Sequence, residues 1–170
     1  MRWQEPQDES VREIFEGVRT FCKREKVSEV YATHEPIGKF PAELVKKMGK
    51  AGFFGLTIPI EYGGMGMNTV ASSYVARELA YWWPALHLIW TANSSLAAFP
   101  VMYAGTEEQK QRILPKLASG EILGCYALTE PNAGSDARSM KTTAKVHHRD
   151  DAGVIVGTDW FLNGSKTFIT

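Results

Sequence analysis

Apolar residues recur at helical spacing through the long first part of the chain and give way to short runs afterwards. Val11, Ile14, Phe15, Val18 and Cys22 share one helical face, and Ser10-x-x-Glu13 stands ahead of them as a capping box. A first helix is therefore expected from about Val11 to about Tyr31. Pro36 and Gly38 break that pattern. Pro41 suits the first turn of a second helix, with Leu44, Val45 and Met48 inward and Gly49 and Gly52 near its end. Gly63, Gly64 and Gly66 mark a loop. Asn68 can cap a third helix carrying Val70, Tyr74, Val75 and Leu79, and Pro84 ends it or starts the next. The fourth helix is an apolar run through Leu86, Ile89, Trp90, Leu96 and Phe99. Thr106-x-x-Gln109 is another capping box. It opens a fifth helix through Ile113 and Leu117, with Pro115 inside to kink or tighten it and Gly120 to stop it.

Strand signals follow. Ile122 to Leu128 is one; Lys141 to His147 alternates weakly and is a second; Val154 to Val156 is a third, after a turn at Asp150, Asp151 and Gly153. Asn163-Gly164 is the strongest hairpin signal and implies a partner strand from Lys166 onward. The sequence stops at Thr170, which leaves little room for that arm, and so few strands keep open edges. The expectation is the N-terminal portion of a longer protein: mainly α, with an up-and-down helical bundle over residues 1–120 and the first strands of a β-domain over 121–170.

Charge narrows the function classes. Lys+Arg and Asp+Glu number 19 each, a net charge of zero, which argues against a nucleic-acid partner. The 2 cysteines, Cys22 and Cys125, read as buried thiols in a reducing compartment rather than a disulfide. Met1 is followed by polar residues and no apolar signal segment, so cytoplasmic residence is the default. The apolar stretch from Ala80 to Ala104 is interrupted by Pro84, His87, Asn93 and Pro100, which favours a buried helix over a membrane span. His34, His87, His147 and His148 show no metal spacing, and neighbours such as His147 and His148 point to opposite faces of a strand.

The stretch with most chemistry is Tyr126-Ala127-Leu128-Thr129-Glu130-Pro131-Asn132-Ala133-Gly134-Ser135-Asp136. Its small residues let backbone N–H groups approach a ligand closely, and Thr129 and Ser135 add hydroxyls, which suits a polar cofactor bearing carbonyls and phosphates. On chemistry alone, an ordinary strand end with a turn is the favoured reading. Gly63-Gly64-Met65-Gly66 lacks both a strand–turn–helix setting and a P-loop Lys-Ser/Thr, so it reads as a structural loop.

The wording of that stretch, Ala-Leu-Thr-Glu-Pro-Asn-Ala-Gly-Ser-Asp, closely resembles the signature of the acyl-CoA dehydrogenases, flavoenzymes that desaturate acyl-CoA thioesters. Three other segments resemble the same family in its order: Ile58 to Gly66 (Pro-x-x-Tyr-Gly-Gly-x-Gly), Gly105 to Gly120 (the helix before the signature), and Leu162 to Thr170 (Asn-Gly-x-Lys-x-Trp-Ile-Thr). Together they span nearly all of the chain. The resemblance implies FAD as cofactor, an acyl-CoA substrate, a place in fatty acid metabolism, an electron-transferring flavoprotein as acceptor, and a homo-oligomer (dimer or tetramer) when complete. It also implies a continuation through the β-domain into a C-terminal helical bundle.

By the same resemblance Tyr126, Leu128, Thr129, Gly134 and Ser135 would contact FAD, with Thr129 bonding the flavin ring and Ser135 reaching the pyrophosphate region and the acyl-CoA. Phe168, Ile169 and Thr170 would form the second contact. Phe168 stands where the family usually has Trp; it covers a ring but lacks the indole N–H. Glu130 reads as a turn or salt-bridge residue. The family's base is a Glu of the C-terminal bundle, no position here matches it, and the chain alone is expected to be inactive. Trp82, Trp83 and Trp90 read as core, although each would shorten an acyl tunnel if it pointed into one. His87 aligns near an Arg that holds the distal carboxylate in glutaryl-type members, and a His is a weaker partner for it. Two alternatives stay open: an acyl-CoA oxidase or flavin monooxygenase relative, and a non-catalytic helical binding module derived from a shortened dehydrogenase.

Overall fold

The computed structural model describes residues 5–146, 152 and 160–170. The chain divides into two units, Met1–Cys125 and Tyr126–Thr170. The first is helical, and its elements start where local chemistry supplies a cap. Helix α1 (Glu9–Arg24) begins at Asp8, whose carboxylate accepts from Val11 N at 3.1 Å. Ser10, assigned the cap from sequence, instead donates its hydroxyl to Asp8.

The single helix expected as far as Tyr31 is two helices. Lys26 takes the left-handed conformation (φ 51°, ψ 47°), and α2 (Val27–His34) starts after it. A non-glycine residue there costs about 1–2 kcal/mol. The break brings Val27 fully into the core, while Glu25 accepts from Lys47 Nζ at 2.5 Å and Arg24 Nε at 2.8 Å. Pro41 immediately precedes α3 (Ala42–Lys50). Asn68 caps α4 (Thr69–Trp82) through Ala71 N at 3.1 Å. Pro84 opens α5 (Pro84–Thr91), which widens into a π-helical segment (Ala92–Ala97) and continues as α6 (Ala98–Ala104). Thr106 and Gln109 form both bonds of the expected capping box at the start of α7 (Glu107–Ser119). That helix runs unbroken through Pro115 and stops at Gly120, in the left-handed region at φ 71°.

Two apolar clusters hold the unit together. One joins Val18 and Phe21 of α1, Met48 of α3, Leu79 of α4, Trp83 and Trp90; the other joins Ile58 and Tyr62 to Ala98, Leu114 and Leu117. Trp83 and Trp90 are core residues whose indole N–H groups are satisfied internally, by Glu35 Oε2 at 2.7 Å and by Phe53 O at 2.8 Å. Trp90→Ala would therefore excavate the core rather than lengthen an acyl tunnel. The glycine loop is structural: a side chain on Gly64 would run into the carbonyls of Ile58 and Gly55. Cys22 is buried as expected, but Cys125 is exposed, and neither forms a disulfide.

In the second unit β1 (Thr143–Val146) pairs antiparallel with β2 (Trp160–Asn163), Thr143 opposite Asn163 and Val146 opposite Trp160. β1 lies within the strand expected from Lys141 to His147. The expected turn at 150–153 and strand at 154–156 fall outside the described residues, Ala152 excepted. Two expectations are corrected. Ile122 to Leu128 is not a strand, because its backbone donors go elsewhere: Gly124 N to the Asn93 side chain at 2.8 Å and Leu128 N to Tyr126 O at 3.2 Å. Asn163-Gly164 does not turn a hairpin into a strand from Lys166. The favoured two-residue turn needs positive φ at both positions, and neither residue has it. Gly164 packs instead against the side chain of Thr142.

Candidate functional site

The signature stretch folds into a tight turn. Glu130 N donates to Ala133 O at 2.9 Å and Ala133 N to Glu130 O at 3.1 Å, closing Glu130-Pro131-Asn132-Ala133 on itself. The turn carries the Glu130 side chain inward, where it is only 8% exposed. Its carboxylate accepts four hydrogen bonds: from Lys141 N at 2.7 Å, Thr142 N at 3.0 Å, Thr142 Oγ1 at 2.5 Å and Lys166 Nζ at 2.9 Å. The Lys141 N–H, the Thr142 hydroxyl and the Lys166 ammonium hold the Glu130 carboxyl down at about 2. A carboxylate so stabilised is a poor proton acceptor. Glu130 is thus the salt-bridge residue its position suggested, not a base.

Lys166 ties this turn to the last segment of the chain. Its ammonium also donates to Leu128 O at 2.8 Å and lies 3.4 Å from Met140 Sδ. Beside it, Thr167 N donates to Thr129 O at 2.9 Å. The two stretches assigned from sequence to one ligand are therefore joined along their edges, Leu128 and Thr129 on one side and Lys166 and Thr167 on the other. Tyr126 is exposed and Thr129 half-buried. Gly134 and Ser135 follow the turn on exposed backbone, and a side chain at Gly134 would meet open space. Ile169 and Thr170 are exposed. Phe168 is 92% exposed and holds a left-handed backbone at φ 56°, a conformation aromatic residues rarely adopt.

These residues offer hydroxyls (Thr129, Ser135, Thr170), backbone edges beside small side chains and exposed aromatic rings (Tyr126, Phe168). That donor set fits a ligand with a flat carbonyl-bearing ring and phosphates. The role of Lys166 is not apparent from sequence beyond its place in Asn-Gly-x-Lys. Lys141 carries no signal, since it contributes its backbone N–H, and Thr142, which gives both its N–H and its hydroxyl, stands in no motif. His87 does not strengthen a dicarboxylate reading: burial pushes its imidazole down from 6.5, towards the neutral form, and its Nε2 pairs with Thr91 Oγ1 at 3.0 Å. Among the described residues no His/Cys/Asp/Glu group could hold a metal, and no helix is long and apolar enough to cross a membrane.

Comparison with known proteins identifies the family. Residues 8–121 match the family model for the acyl-CoA dehydrogenase N-terminal domain, and residues 125–170 that for the acyl-CoA dehydrogenase middle domain. An acyl-CoA dehydrogenase of Bacillus subtilis is 39% identical over 153 residues, covering 90% of this chain and 38% of that protein. The CarC subunit of the caffeyl-CoA reductase-Etf complex of Acetobacterium woodii is 37% identical over 164 residues, covering 96% of this chain and 40% of that protein. The structure of an acyl-CoA dehydrogenase complexed with FAD from Bacillus anthracis superposes with a TM-score of 0.78 at 31% identity, covering 99% of this chain and 28% of that one. The chain spans about two fifths of the length of the curated relatives it matches. Over that span its helical unit, its signature turn and its closing segment are those of the family, and the chain belongs to the acyl-CoA dehydrogenases.

Proposed function

We propose that the protein carrying this chain is an FAD-dependent acyl-CoA dehydrogenase. Residues 1–120 would be its N-terminal helical domain and residues 121–170 the opening of its β-domain. The observation that carries the reading is the junction of Leu128 and Thr129 with Lys166 and Thr167, which brings both flavin-assigned segments to one edge. In this reading Thr129 and Thr170 bond the flavin ring, Phe168 covers its face, Tyr126, Leu128, Gly134 and Ile169 complete the cradle, and Ser135 reaches the pyrophosphate and the acyl-CoA. A bound FAD would supply a hydride acceptor for the β-carbon of the thioester. By the family resemblance the α-proton would go to a Glu of a C-terminal bundle outside residues 1–170; Glu130, held at about 2 in its four bonds, is a poor proton acceptor. The 170-residue chain by itself is then inactive.

Relatives within an Etf complex support an electron-transferring flavoprotein as acceptor. A homo-oligomer and a role in cytoplasmic fatty acid metabolism belong to the same proposal. The test is steady-state turnover of the full-length protein on short and medium acyl-CoA thioesters, with electron-transferring flavoprotein as acceptor and oxygen uptake followed in parallel. Reduction of the acceptor without peroxide supports the reading. Stoichiometric peroxide would make the protein an oxidase, and turnover by residues 1–170 alone would remove the need for an outside base.

A further inference from the structure

We propose that Lys166 is a positioning residue of the cradle: its ammonium holds the Leu128 carbonyl and the Glu130 carboxylate together and so aims the Thr129 N–H at the ligand. The inference rests on the FAD reading above. An ammonium has three donors, and here they face Leu128 O at 2.8 Å, Glu130 Oε1 at 2.9 Å and the weaker acceptor Met140 Sδ at 3.4 Å. With its side chain 22% exposed and its donors engaged, Lys166 is committed within the protein rather than offered to a cofactor phosphate.

The consequence follows from peptide geometry. In a trans peptide the C=O of one residue and the N–H of the next point in opposite directions. Drawing the Leu128 carbonyl onto Lys166 therefore turns the Thr129 N–H to the other side. Among the described residues that N–H has no acceptor, whereas both neighbouring polar groups are engaged: Thr129 O by Thr167 N at 2.9 Å and Glu130 N by Ala133 O at 2.9 Å. One oriented, unspent donor is left on a backbone fixed at each side, at the residue assigned to the flavin ring. Glu130 supplies the countercharge that keeps Lys166 in place, and its own position is fixed by Lys141 and Thr142.

The experiment compares full-length holoprotein with Lys166→Met, Lys166→Arg and Glu130→Gln, reading the FAD dissociation constant, the visible spectrum of bound flavin and far-UV circular dichroism. Losing a charge-assisted bond that orients the donor should weaken FAD by about tenfold or more in Lys166→Met. The flavin band should shift while the helical signal is kept, and Lys166→Arg should recover part of both losses. Glu130→Gln should move affinity and band in the same direction by less; should Lys166→Met not fold, it carries the test. Wild-type protein that binds FAD beside variants with the same affinity and spectrum would overturn the positioning role. Wild-type protein that binds no FAD would overturn the function proposed above instead.

Discussion

Asn93 lies in the π-helical segment between α5 and α6. It is completely buried, and its amide spans two backbone groups: Nδ2 donates to Leu117 O at 3.0 Å and Oδ1 accepts from Gly124 N at 2.8 Å. The reverse amide orientation would set donor against donor, so the network assigns this one. Leu117 O also accepts from Gly120 N at 3.2 Å, so Asn93→Ala orphans chiefly the Gly124 N–H. Two lost bonds at about 1 kcal/mol each, plus a penalty for a partly buried orphan donor, give about 2–3 kcal/mol. With a urea slope of about 2 kcal/mol per molar, the unfolding midpoint should fall by about 1 M or slightly more, followed by the fluorescence of buried Trp83 and Trp90. Asn93→Asp adds a pH signature. Burial raises the carboxyl above its ordinary value of about 3.9, and only the protonated form can donate to Leu117 O. The folded state therefore binds the proton more tightly, so the Asp variant is least destabilised below about pH 3.9 and loses ground as pH rises through the folded value. An unchanged urea midpoint in Asn93→Ala, or a pH-independent deficit in Asn93→Asp, would refute the bridge between α7 and the chain leading to Tyr126.

Three further outcomes are expected. Glu130 is held at about 2 against an ordinary 4.5, so its contribution to stability is full above pH 4.5 and is lost as pH falls towards 2; in the folded protein the Lys141 and Thr142 amide resonances should stay flat through pH 4.5 and titrate with a midpoint near 2, and a midpoint near 4.5 would contradict the four-bond cage. Burial pushes the Cys22 thiol up to about 12, so a thiol reagent should label only Cys125 in the folded 170-residue chain and reach Cys22 on unfolding; equal labelling rates would contradict the packing of α1. Gly64→Ala forces a methyl against the carbonyls of Ile58 and Gly55 and should cost about 1–3 kcal/mol in urea unfolding; a neutral result would mean the loop is looser than its hydrogen bonds imply.

The sequence was most legible where structure is decided within a few residues. The Asn68 cap, the Thr106–Gln109 box, the start at Pro84 and the stop at Gly120 are all local, and all are present. The break at Lys26 was not legible, because a lysine in the left-handed region leaves no compositional mark and its compensation, the burial of Val27, is tertiary. The π-helical segment at Ala92–Ala97 was hidden similarly; Asn93 looked like an interruption of an apolar run and is instead the bridge to Gly124. That bridge also explains the failed strand at Ile122 to Leu128, since an apolar run predicts burial but not where its N–H groups go. At the site, Glu130 was readable as a salt-bridge residue. Its partners were not, because Lys141 acts through its backbone N–H, Thr142 through its N–H and hydroxyl at a position no motif marks, and Lys166 lies 36 residues away.

In the proposed function the junction of Leu128–Thr129 with Lys166–Thr167 is the wall of a flavin site in a working acyl-CoA dehydrogenase. Its most direct test is an anaerobic titration of the purified full-length protein with acyl-CoA thioesters of increasing chain length, following the visible flavin band. Bound FAD whose band bleaches stoichiometrically with at least one thioester is expected. A protein that retains no flavin, or whose flavin no acyl-CoA reduces, would contradict it.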